Sequence, residues 1–157
     1  MNPQGLLKRK PDTTQKEFSE HWYNKHAQLI VPLFLYCKVE NYIQIHAPLS
    51  TSISDPSLAL SDWDGAAETQ ITPLLLTLLI APESENIPRW VVRYYQEVVL
   101  VDERRFLDGE VMTHIRMVEG GTVMGERKAV IEGGKVVAGV GEEAWRVWRG
   151  YEGVGDV

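Results

Sequence analysis

Apolar residues recur along this chain in two periods, and the switches between them lay out its elements. Residues 5–10 read as a strand stopped by Pro11. Thr14 and Glu17 then have the spacing of a capping box, with Thr14 as N-cap and Glu17 reaching back. Phe18, Trp22, His26 and Leu29 follow at steps of four and three, which is one face of an amphipathic helix. His21, Lys25 and Gln28 fall on a neighbouring face, and Pro32 is expected to end or kink the helix. Over residues 39–47 the period drops to two. Tyr42, Gln44 and His46 share one face of that strand, Ile43 and Ile45 the other. A polar-aromatic face opposite an aliphatic one fits a strand with one side on a core and the other lining a cavity.

The second half is read the same way. Residues 48–62, rich in Ser and Pro, form a loop, and residues 63–71 a weaker strand carrying Asp64, Gly65 and Glu68. Residues 73–81 predict a short apolar helix between two prolines. Residues 87–97 predict another, with Pro88 at its first turn. Residues 98–101 either extend it or form a strand, and residues 102–109 make a further helical turn. Alternation over residues 111–118 predicts a strand. Residues 128–131 and 135–140 flank Gly133-Gly134, a hairpin signature, and Trp145 and Trp148 fall on a last helical turn. The order predicts one α+β domain over residues 1–157, ferredoxin-like β-α-β-β-α-β with an extra C-terminal hairpin. Helices cover one face of such a sheet. Pairing with a second copy is the commonest way to bury the other, so a homodimer is expected.

Composition narrows the partners. The chain has 157 residues, 44% of them hydrophobic and 24% charged, which is ordinary for a globular domain. A net charge of -6 argues against nucleic acid and anionic membrane as partners. The most apolar run, residues 74–81, falls far short of the roughly 20 residues that cross a bilayer. Cys37 is the one cysteine, so neither an intrachain disulfide nor a cysteine metal cluster is expected. That usage points to a reducing, cytoplasmic compartment.

Candidate chemistry centres on histidine. His26, one turn after Trp22, has a side chain suited to proton transfer near neutrality if it projects between helix and sheet; otherwise it is a hydrogen-bonded core residue. His46, with Tyr42 and Gln44, offers a row of hydrogen-bonding groups for a phenol or ketone, or else a solvent-facing edge. His21 reads as an exposed helix residue, and His114 lies on a strand that turns it to either side. Asp64 and Glu68 are four apart on one strand, a spacing that allows paired carboxylates as well as a turn and a surface glutamate. No HExxH, GxGxxG or GxSxG motif occurs, and no metal site is expected. Cofactor-free acid–base chemistry is what remains.

Two stretches, LLKRKPDTTQKEFSEHWYNKHAQL and VENYIQIHAP, carry a resemblance. The Lys8 to Pro11 strand end, Phe18 and Trp22, His26 to Leu29, and the Tyr42-x-Gln44-x-His46 strand resemble the EthD-like domain of the dimeric α+β-barrel superfamily. Asp62-Trp63-Asp64-Gly65-Ala66-Ala67-Glu68 looks like that family's DxDGxAE strand. Tyr94 to Val99, with Asp102, Glu103 and Phe106, looks like its YYxEVVxxDExxF segment. The likeness is greatest to small fungal polyketide-pathway decarboxylases acting on atrochrysone carboxylic acid or related anthraquinone precursors. It implies a homodimer with a pocket in each subunit and a cofactor-free reaction on an aromatic polyketide acid. His26 would be the general acid, and His46 with Gln44 and Tyr42 would hold a carbonyl or phenol oxygen. Phe18 and Trp22 would pack on flat rings, with Asp64, Glu68 and His114 as further substrate contacts. Alternatives on the same barrel are a cofactor-free anthrone oxygenase, a cyclase or dehydratase, and a non-catalytic polyketide-binding accessory protein.

Overall fold

A computed structural model describes residues 1–156. The strands are β1 (Gln4–Leu7), β2 (Tyr42–Ser50), β3 (Gly65–Thr69), β4 (Arg116–Val118), β5 (Met124–Glu132) and β6 (Lys135–Val136). They form one antiparallel sheet in the order β4-β1-β3-β2-β5-β6. The first four strands have the ferredoxin-like order, and the C-terminal hairpin extends the sheet from the free edge of β2.

The helices lie on one face. The first runs as α1 (Gln15–His21), a π turn (Trp22–His26) and α2 (Ala27–Tyr36). It starts on the expected capping box: Thr14 Oγ1 accepts from the Glu17 N–H, and Glu17 Oε1 accepts from the Thr14 N–H. After α3 (Pro73–Ile80) comes a second long helix, α4 (Arg89–Tyr94), a π turn (Tyr95–Val99) and α5 (Leu100–Phe106). A short α6 (Val111–His114) precedes β4, and α7 (Glu142–Val154) closes the chain. None of the described helices is long and apolar enough to cross a membrane.

Side-chain alternation sorts the sheet into two faces. Gly5, Leu7, Tyr42, Ala67 and Thr69 point toward the helices; Leu6, Ile45 and Ala66 point away, into a smaller cluster with Leu58 and Val123. Gly65 lets the first helix sit close. A Cβ there would lie 2.7 Å from Trp22 Cζ3, too near for any other residue without movement. The main core lies between sheet and helices, around Ala27, Val31, Leu33, Val91, Val92, Tyr94 and Trp148.

Several sequence expectations need correction. The first strand ends at Leu7, and Arg9 makes only an isolated bridge to Leu107. Pro32 does not end its helix, which continues to Tyr36 because Val31, Pro32 and Leu33 are all buried and packing outweighs one lost backbone bond. The second strand spans Tyr42–Ser50, taking three residues from the expected loop and leaving out the expected start at residues 39–41. Residues 98–101 belong to the second long helix. Residues 111–114 form α6 instead of a strand, with the Thr113 N–H and hydroxyl both bonded to the Glu110 carbonyl. The last element is a thirteen-residue helix rather than one turn.

Candidate active site

Between the helical layer and the sheet lies a cavity of about 250 Å³. Its wall is mostly apolar: Leu7, Trp22, Ile30, Leu33, Leu75, Leu78, Phe106 and Leu107 among others. Exposed Ile71, Leu76, Met112 and Met117 mark its mouth. The segment joining β3 to α4 thus supplies much of one wall through α3. The polar lining residues, His26, Tyr42, Tyr95, Glu103 and Thr69, are all buried and lie inward of that mouth.

Both π turns border this cavity. A π turn adds a residue to a helix and re-aims the side chains around it, which is why such turns concentrate at functional sites. The first ends on His26 and the second begins on Tyr95; Asp102 and Glu103 follow one to two helical turns later. Here the two long helices meet through ionisable groups. The buried Asp102 carboxylate accepts from His26 Nδ1 at 2.8 Å and from His21 Nε2 at 3.0 Å, with Arg105 Nη1 at 3.6 Å. Burial alone would raise this carboxyl, but the hydrogen bonds from His21 and His26 outweigh it and hold it well below the usual carboxylate range. The Phe106 ring lies 4.8 Å from the His21 ring and 4.9 Å from that of His26. His26 Nε2 has no partner among the described residues and is left for the cavity.

Glu103 sits in the opposite environment. Burial raises its pKa, opposed by the charge of His26 and by the Val111 N–H that donates to Oε1 at 2.8 Å. Among the described residues no hydrogen bond reaches its Oε2 or the Tyr95 hydroxyl, and burial with the nearby Glu103 pushes the Tyr95 phenol up. Asp102 and Glu103, neighbours in sequence, are therefore shifted in opposite directions, a separation typical of acid–base sites.

The predicted site residues divide sharply. Trp22, His26 and Tyr42 line the cavity. Phe18 lies behind them, its ring 5.4 Å from Trp22 and 5.7 Å from Phe106. Gln44 and His46 share the face of Tyr42 but are covered. Gln44 Nε2 donates to the Trp22 carbonyl and to Tyr42 Oη, both at 3.0 Å, and His46 Nε2 donates to Gln44 Oε1 at 2.9 Å. His46, with its ring 4.8 Å from that of Trp22, does not form part of the wall. Its pKa is lowered to about 4 by burial, with Lys128 adding to the effect.

The carboxylate pair does not form. Asp64 lies before β3 and pairs with Arg9 at 2.6 Å, whereas Glu68 points to the far face and pairs with Gln4 and, at 2.6 Å, with Arg127. His114 is on α6, where Nε2 accepts from the Lys8 N–H, and it stays off the wall. His21 is not a free surface residue, since it holds Asp102. Sequence reasoning gave no site role to Tyr95, Asp102 and Glu103. Their signal was present: with Val91, Val92, Val99 and Phe106 they continue one apolar helix face, where ionisable groups are out of place.

Among the described residues no group of three or more His, Cys, Asp or Glu side chains is arranged to hold a metal ion. A family model, the EthD domain, matches residues 10–110, a span that includes both long helices and every ionisable group around the cavity. No curated protein and no solved structure matches the chain.

Proposed function

Because this chain belongs to the EthD domain family, we propose that it is a cofactor-free decarboxylase of an aromatic polyketide carboxylic acid. The class meant is atrochrysone carboxylic acid or a related anthraquinone or xanthone precursor. One observation carries the reading: His26, held by Asp102 at 2.8 Å, keeps its other nitrogen free at the buried end of an apolar cavity.

The chemistry follows from that placement. When a β-keto or ortho-hydroxy aromatic acid loses carbon dioxide, the electron pair of the broken carbon–carbon bond passes into the conjugated carbonyl or ring. The resulting anion must then take a proton at carbon. Protonated His26 gives its Nε2 proton to that carbon and is recharged from solvent, while Asp102 stabilises the imidazolium and fixes the ring. Apolar walls accept the fused rings, and the polar end accepts their oxygens. Excluding water around the departing carboxylate favours a transition state whose charge is spread out.

Pure protein incubated with such an acid should release carbon dioxide and yield the decarboxylated product by mass. His26→Ala should slow this on the order of a hundredfold or more while keeping the fold. A folded His26→Ala protein turning over at the wild-type rate would overturn the assignment. Oxygen uptake with an anthrone, and no carbon dioxide, would favour the oxygenase; tight binding without turnover would favour an accessory carrier. The reading includes a homodimer, so sedimentation equilibrium should give twice the 17.8 kDa chain mass, and the mass of one chain would remove that part.

A further inference from the structure

We propose that Tyr42 is the hydrogen-bond donor that fixes an acceptor oxygen of the bound ligand, and that Gln44 and His46 act through it as positioning residues. The three side chains were expected to line up side by side on one oxygen. Their hydrogen bonds instead run in series, and the direction of each can be derived.

The series starts at a group that can only accept. The Trp22 carbonyl faces the Gln44 side chain at 3.0 Å, so the atom of Gln44 that meets it must be the amide nitrogen. That settles which way the amide points. Its nitrogen also reaches Tyr42 Oη at 3.0 Å and donates there, while its oxygen faces His46 Nε2 at 2.9 Å. An amide oxygen only accepts, so His46 carries its proton on Nε2. Its Nδ1 is then the unprotonated atom, buried and without a hydrogen-bond partner, a cost this arrangement tolerates. Burial keeps the ring neutral, as the tautomer requires.

Tyr42 is the end of the line. Its oxygen already accepts from Gln44, and no group among the described residues accepts from its O–H. Tyr42 lines the cavity, so the acceptor for that hydrogen belongs to whatever occupies it. The Tyr95 hydroxyl is another free donor there, and His26 Nε2 becomes one whenever the ring carries its second proton. A cavity end supplied with donors selects a ligand end rich in carbonyl or oxyanion oxygen, and an apolar body of the same shape lacking those oxygens should be the poorer ligand.

This inference rests on the cavity being the ligand site, and not on decarboxylation, so its test is binding alone. Anthraquinone and anthracene have the same three-ring body, and only the first offers acceptor oxygens. Binding of each is followed by quenching of tryptophan fluorescence, since Trp22 lines the cavity. The wild type should prefer anthraquinone by roughly tenfold, and Tyr42→Phe should abolish the preference without weakening anthracene. Gln44→Glu puts a carboxylate beside Tyr42 that takes its O–H and turns the hydrogen from the cavity. His46→Phe keeps a ring against Trp22 but leaves Gln44 Oε1 without its donor. Both should reduce the preference in the wild-type background and change nothing further in Tyr42→Phe. Thermal unfolding identifies any variant that fails to fold, and the remaining variant with Tyr42→Phe still decides. The proposal falls if the wild type shows no preference, if folded Tyr42→Phe keeps it, or if the Gln44 and His46 losses add in full to that of Tyr42→Phe. Absent decarboxylation with these binding results intact would sink only the reaction assigned above.

Discussion

One carboxylate shared by two imidazoles makes Asp102 the residue on which the two long helices agree, and its neighbour Glu103 shows how little sequence distance separates opposite environments. Asp102 faces two donors; Glu103 faces an apolar wall with one backbone N–H. His46 gives the same lesson a measurable consequence. Its folded pKa lies near 4 against an ordinary 6.5, because burial disfavours the charged ring. As pH falls below 6.5 the unfolded chain takes up a proton that the folded chain refuses. Stability from this group is therefore present above 6.5 and drains away toward 4. Between pH 7.5 and 5 the loss should be about 2 kcal/mol, measured by urea unfolding. His114, also lowered, acts in the same direction, while Glu103, raised, acts oppositely just above its ordinary 4.5. Comparing the wild type with His46→Gln cancels both. Equal pH slopes in the two proteins would show that His46 is protonated in the folded state.

At the scale of elements, what could be read from sequence was what depends on neighbours along the chain. The alternation of Tyr42, Gln44 and His46 correctly set them on one face, and the Thr14–Glu17 box correctly started the first helix. The order of elements gave the ferredoxin-like strand order. The failures are equally physical. Residues 111–118 alternate as a strand does, yet Glu110 bonds to Thr113 and winds the first four into a helical turn. A π turn leaves no mark in composition, because it is one inserted residue whose cost is met by tertiary contacts. Without the turn at Trp22–His26, the i, i+4 spacing of Trp22 and His26 says nothing of Asp102, which approaches from 76 positions away. Face assignment could not tell a cavity-lining Tyr42 from a covered His46 either, since both point the same way and differ only in what Trp22 lies over. The strand expected from residue 63 starts two residues later, at Gly65, so Asp64 falls outside it and pairs with Arg9, while Glu68 pairs with Arg127.

The whole molecule is held together partly by what lies outside the family match. Helix α7 falls beyond residue 110 yet packs on both helices that build the site. Trp148 meets Trp90 at 4.9 Å and Tyr94 at 4.8 Å between ring centroids, and Tyr36 at 5.9 Å. Around it, Asp156 Oδ1 accepts from the Trp90 N–H, Gln28 Oε1 accepts from the Gly141 N–H, and Arg93 donates to the Gly155 carbonyl. These contacts join α2 to α4 outside the cavity wall, to which neither Trp148 nor Trp90 belongs. Removing the Trp148 ring should therefore cost stability without touching ligand contacts. For Trp148→Ala a loss of roughly 3–5 kcal/mol is expected from the buried indole and the void it leaves, read from guanidinium unfolding. Affinity for anthraquinone, measured well below the unfolding temperature, should stay within about twofold of wild type, because the polar end is fixed by hydrogen bonds of Asp102 with His21 and His26 and of Glu103 with Val111, none of which α7 shares. A folded variant with near-normal stability would show that α7 is an appendage, and one that keeps stability but loses the ligand would show that the helix reaches the cavity by a route the packing does not reveal.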